Sequence, residues 1–205
     1  MHVPSRLVSY LLLSILLLTG AVVGANAQGD QRNVVEPSYD VILQILIGGD
    51  AKAAGQALPQ GLNTVAKQLR GNYSFADYRL ANTYVGRIAN GGNFEFKSIS
   101  NLFGRSGDGE TPSFLDWSLA GLRVGPSSAG KSDLMLQGFR FGARVPVRTG
   151  IREEAGKQLP IFNYESIGLS SMRITLPENT PTLLGSLSLP NTDNAMFVVI
   201  TFRPS

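Results

Sequence analysis

After the first forty residues the chain alternates apolar and polar positions with a period of two. Tyr39, Val41, Leu43, Ile45 and Ile47 fall on one face and the run stops at Gly48-Gly49, which predicts a strand with one face in a core. One segment breaks the period. Leu62, Val65, Ala66 and Leu69 recur at helical spacing after Pro59, predicting a helix near 61–70 with Gly71 as its left-handed cap. From Asp77 onward the period of two returns. Residues 77–88, 93–100, 113–124, 133–147, 162–169, 172–176, 183–189 and 195–202 each read as strands, separated by turn-forming clusters such as Asn90-Gly91-Gly92. The stretch 196–202 is apolar on both faces, as a central strand covered on two sides would be. The predicted fold class is mainly β, sandwich-like or an α+β layer, with one early helix and no internal repeat of fixed period.

The N-terminal pattern is of a different kind. Arg6 is the only charged side chain in the first 29 residues, and it precedes a run of apolar residues from Leu7 to Leu18 broken by Ser9 and Ser14. Ala25-Asn26-Ala27 then supplies the small residues that flank a signal-peptidase site, so residues 1–27 are expected to be a cleaved signal peptide and Gln28 the mature N-terminus. The alternative is a membrane anchor, which needs an apolar run of roughly 18 residues. Residues 28–38 read as a flexible leader, and 39–205 as a single mainly β domain. The protein is accordingly expected in the periplasm or outside the cell, with association to an outer membrane left open.

Composition narrows the chemistry. There is no cysteine, and the one histidine is His2, inside the expected signal. The mature domain therefore has neither thiolate nor imidazole, the usual ligands of zinc and copper and the usual parts of a Cys or Ser nucleophile. No catalytic residue, cofactor or metal is predicted, and the domain is read as non-enzymatic. Without residues 1–27 the chain carries 17 basic against 15 acidic residues, too near neutrality for a nucleic-acid wrapper.

Two motifs remain. Gly125-Pro126-Ser127-Ser128-Ala129-Gly130-Lys131-Ser132 matches the phosphate-loop pattern letter for letter, which keeps a nucleotide-binding reading as an alternative. The residues after it alternate as a strand, whereas a phosphate loop opens a helix, so a hairpin turn is favoured. In the run 139–148, Phe139, Phe141, Ala143, Val145 and Val147 share one face and Arg140, Arg144 and Arg148 the other. Three guanidiniums at four-residue spacing form a stripe suited to carboxylates or phosphates, and these are the candidate partner-binding residues. The competing reading is a solvated edge strand guarded by charge and Pro146. Glu153-Glu154 reads as a solvated pair in a loop, and Asp116 beside Trp117 as a lone carboxylate open to a shifted pKa. Asn72-Tyr73-Ser74 has the form of a glycosylation sequon.

The last third of the chain resembles the C-terminal strands of secretins, the ring-forming outer-membrane pores of bacterial secretion and pilus systems. The residues that carry the resemblance are Ser171-Met172-Arg173-Ile174-Thr175-Leu176-Pro177-Glu178-Asn179-Thr180-Pro181-Thr182-Leu183-Leu184-Gly185-Ser186-Leu187 and Ala195-Met196-Phe197-Val198-Val199-Ile200-Thr201-Phe202-Arg203-Pro204. Val41 to Ile47 would match the strand that opens such domains. Between Leu187 and Ala195 the chain lacks the second glycine-rich segment of that family. The ending is similar, too, to exported bacterial proteins of no assigned activity. The resemblance implies a bacterial envelope protein, secretin-like or associated with secretion or pili, that works through a protein partner or a polyanion. A small outer-membrane β-barrel is the alternative from another class.

Overall fold

The computed structural model describes residues 36–49, 56–100, 111–126, 132–190 and 192–205. Strand β1 (Ser38–Gly49) organises the first sheet, because it pairs antiparallel on both sides, with β3 (Asp77–Ala89) and with β10 (Ala195–Pro204). The two-residue β2 (Gln56–Ala57) and β9 (Thr182–Ser188) complete the order β2-β3-β1-β10-β9. Burial along β1 alternates from Ser38 to Gln44 and becomes continuous from Ile45. The change marks where a helix covers the second face. That helix, α1 (Asn63–Asn72), follows a 3-10 turn at Gln60–Leu62 and lays Leu62, Val65 and Leu69 against Leu46, Phe197, Val199 and Tyr78. Its end differs from expectation. Gly71 lies inside the helix, and the extended Tyr73 closes it by donating its N–H to Leu69 O at 2.9 Å.

The second sheet has the order β4 (Phe94–Ser100), β5 (Ser113–Ala120), β7 (Ser132–Glu154), with β6 (Arg123–Pro126) and β8 (Lys157–Pro177) also paired to β7. Because β8 follows β7 along almost its whole length, β5 and β6 share the opposite side. The expected strand at 113–124 is thus two, divided at Gly121, whose φ of +59° makes the turn. The expected strands at 162–169 and 172–176 are one, since Ser170 and Ser171, which read as a break, sit in the ladder opposite Arg140 and Phe139.

The inner faces of the two sheets enclose the main core, with Val41, Leu43, Ile45, Met196, Val198 and Ile200 meeting Leu115, Trp117, Leu134, Phe139 and Phe141. The fold is therefore mainly β, two antiparallel sheets with one short helix, and residues Glu36–Ser205 form one compact unit. The doubly apolar stretch 196–202 is the central strand it was read to be, buried throughout between β1 and β9. The described strands lie in two separate sheets filled with side chains between them, which is not the single closed ring of strands that a one-chain barrel requires. The expected signal and most of the expected leader lie outside the described residues.

Candidate partner-binding surface

Alternation on β7 buries Phe139, Phe141, Ala143, Val145 and Val147 and turns Arg140, Arg144 and Arg148 to solvent on the outer face of the second sheet. The arginines stand roughly 13 Å apart at ~3.3 Å per residue. At Arg140 and Arg144 the strand that carries them is not an edge, whereas Arg148 lies past the β5 ladder and is paired with β8 alone among the described residues. Up to Arg144 the strand is flanked by β5 and β6 on one side and β8 on the other, and Pro146 is accommodated because the β5 ladder ends at Arg144. The edge is β8.

Cross-strand partners share a face, so the register lays out the surface around the stripe. Ser118, Arg140 and Ser170 form one row, Asp116, Gly142 and Gly168 the next, and Phe114, Arg144 and Ser166 the third. The middle row has two glycines and leaves a cleft of about 410 Å³ between the arginines. Gly168 is fixed by contact, since a Cβ there would lie 2.6 Å from Phe141 O. Over Gly142 leans Asp116, whose Oδ1 is 3.0 Å from where a Cβ would stand. Arg144 lies over Phe114, its Cζ 4.7 Å from the ring centroid, and Phe114 packs on Tyr164, whose hydroxyl donates to Pro112 O at 2.9 Å. Beside Asp116 on β4, Lys97 Nζ bonds Glu95 at 2.8 Å, which pushes the lysine up and the glutamate down from their ordinary values.

Beyond Arg148 the β7–β8 hairpin leaves the sheet as a two-stranded ribbon exposed on both faces, about 20 Å long at ~3.3 Å per residue. It turns at Ala155-Gly156, both at positive φ (51° and 74°), the geometry of a two-residue hairpin turn. Glu153 and Glu154, read as loop residues, are the last of β7, and Glu154 bonds Arg152 at 2.6 Å. Along the hairpin Ile151, Leu159, Ile161 and Tyr164 are between 39% and 51% exposed. On β8 no strand pairs the side away from β7 among the described residues.

Sequence reasoning therefore placed the arginines on the exposed face of their strand, and missed the ribbon and the edge beside them. Asp116 and Trp117 face opposite sides of β5, the carboxylate exposed and the indole buried, so the sequence neighbours share no environment. Of the phosphate-loop match, residues 127–131 lie outside the described residues; its flanks pair as strands, Gly125 with Asp133 and Pro126 with Ser132, and β7 follows it where the motif needs a helix. Among the described residues no group of three or more His, Cys, Asp or Glu is placed to hold a metal.

No family model and no curated protein matches the chain. The chain is similar to several solved structures, two of them with secretin or secretion-system components. One is the Klebsiella pneumoniae type II secretion system outer membrane complex of PulD, PulS and the PulC HR domain, with a TM-score of 0.39 and 9% identity over 82% of this chain and 40% of that one. The other is the InvG secretin domain β-barrel of the Salmonella SPI-1 injectisome, with a TM-score of 0.28 and 13% identity over 99% of this chain and 69% of that one. The chain spans two fifths of the length of the first of these.

Proposed function

We propose that this protein is a non-catalytic component of the bacterial cell envelope, of the secretin-like or secretion-associated kind, in which copies join strand to strand along the open edges of the second sheet. The observation that carries the reading is β8, a strand of 21 residues that pairs with β7 and, among the described residues, with no strand on its other side. Such an edge is a template for another strand, and soluble proteins shorten, cover or charge theirs. Here it is long, carries no charge from Gln158 to Tyr164, where Pro160 is the one residue without an N–H to donate, and continues into a ribbon that an isolated hairpin could barely sustain in water. At the opposite edge of the same sheet, β4 likewise pairs with no strand on its outer side among the described residues. Placing β8 of one copy on β4 of the next joins unlike surfaces, and repetition of that contact makes a ring if the rotation closes. The signal-like residues 1–27 and the secretin-like C-terminal strands support the cellular location. The arginine stripe lies on the outer face of the assembled sheet, where it would draw an acidic partner protein or polyanion.

The test is the mass of the exported protein in solution, measured by light scattering over a wide concentration range, for the wild type and for Leu159→Lys/Ile161→Lys. The wild type is expected as a multimer and the doubly charged variant as a monomer with unchanged circular dichroism. A wild type that remains monomeric at every concentration overturns the reading.

A further inference from the structure

A second polar cleft, of about 510 Å³, lies between α1 and β3, away from the arginine stripe. Asn63, Lys67 and Arg70 reach its rim from one face of the helix, and Asp77 and Arg79 reach it from the start of β3. Its charges are unequal. Lys67, Arg70 and Arg79 are three cations against the single carboxylate of Asp77, a net of +2. That carboxylate is already engaged, with Arg79 Nε 2.6 Å from its Oδ2 and the Tyr78 N–H 3.0 Å from its Oδ1. Lys67 and Arg70 form no ion pair among the described residues, although both stand on the same wall. The floor is fixed. Tyr78 is buried, and its hydroxyl donates toward Leu69 O and Tyr73 O at 3.2 and 3.1 Å, tying the helix end to the strand.

We infer that this cleft binds a phosphate-bearing ligand, its oxyanion held by Lys67 and Arg70 with the charge of Arg79 behind them. A guanidinium fork and an ammonium point charge are the two side-chain groups that hold phosphate best, and a net charge of +2 matches a phosphate monoester better than a single carboxylate. The space exceeds what a bare ion fills and lies within the usual range for small-molecule sites. It therefore has room for the group that carries the phosphate, whether that group is soluble or is a lipid headgroup.

The experiment uses the protein as purified after export. Inorganic phosphate is titrated by calorimetry and by NMR, and flotation is measured with phosphatidylcholine vesicles with and without phosphatidate. Binding in at least one arm is expected. Phosphate binding without flotation assigns a soluble ligand, and phosphatidate-dependent flotation assigns a headgroup. Lys67→Ala/Arg70→Ala, both positions exposed, should fold normally by circular dichroism and weaken that binding about tenfold or more, while Arg123→Gln/Arg203→Gln, exposed and outside both clefts, leaves it unchanged. Absence of binding in both arms, retention by the Lys67/Arg70 variant, or equal loss in the Arg123/Arg203 variant overturns the assignment.

Discussion

Among the described residues, two buried side-chain polar atoms have no hydrogen-bond partner, Trp117 Nε1 and Ser113 Oγ, both on the inner face of β5. An unpaired buried hydroxyl costs on the order of 1–3 kcal/mol, and Ser113 offers nothing in return. Ser113→Ala is therefore expected to leave the melting temperature unchanged or raise it, and a clear fall in a thermal scan would contradict the burial. Trp117 is different, because Phe94 and Phe96 pack on its ring at centroid distances of 4.7 and 5.9 Å. Trp117→Ala should cost about 3–5 kcal/mol, and Trp117→Phe much less, since it keeps a ring there and removes the orphaned N–H. At the surface, the side-chain hydrogen bond from Arg79 holds the Asp77 carboxyl below its ordinary value of 3.8. A depressed carboxyl stabilises the fold above its unfolded pKa and loses that contribution as pH falls through the folded value. Asp77→Asn should accordingly flatten the acid limb of stability below about pH 4, as measured by urea midpoints. None of these partnerships was legible in the sequence. Alternation puts Leu115, Trp117 and Leu119 on one face of β5, but whether the indole finds an acceptor depends on strands distant in the chain.

At the scale of elements, the hairpin β7–β8 shows both the reach and the limit of pattern reading. The half of β7 from Phe139 to Val147 was legible because one face is buried, which alone makes the period of two visible in apolar residues. Past Arg148 both faces meet solvent, the period vanishes, and only the turn at Ala155-Gly156 remained as a signal. The ladder itself shows that those residues are strand, from Gly150 opposite Ile161 to Glu154 opposite Lys157. The arginine stripe belongs to the legible half. Its three side chains are exposed and make no ion pair among the described residues, so they add little to stability. Arg140→Gln/Arg144→Gln/Arg148→Gln should therefore shift the melting temperature by only a degree or two while weakening salt-sensitive binding of acidic partners. Unfolding of the triple variant would make the arginines structural. Normal folding with unchanged binding would reduce the stripe to a solvated face.

At the scale of the molecule, the first sheet has a core on each side. Its central strands β1 and β10 give Val41, Leu43, Met196 and Val198 to the core between the sheets, and Leu46, Phe197 and Val199 to the core under α1. The continuous apolar run of β10 was legible as a strand covered twice, but the identity of its two covers was not, because strand order is set by contacts between residues more than a hundred positions apart, as between β1 and β10. Sharing of strands has an energetic consequence. Neither core can open without exposing apolar residues whose backbone also holds the other, so the two should melt as one cooperative unit. Leu69 and Trp117 test this from opposite sides, since Leu69 is wholly buried in the helix-side core and Trp117, the single tryptophan, in the core between the sheets. Leu69→Ala should cost about 2–5 kcal/mol and should lower the urea midpoint read from Trp117 fluorescence as far as the midpoint read from circular dichroism. If the Trp117 midpoint stays in place while circular dichroism shows an earlier transition, α1 unfolds separately and the two cores are not coupled through β1 and β10.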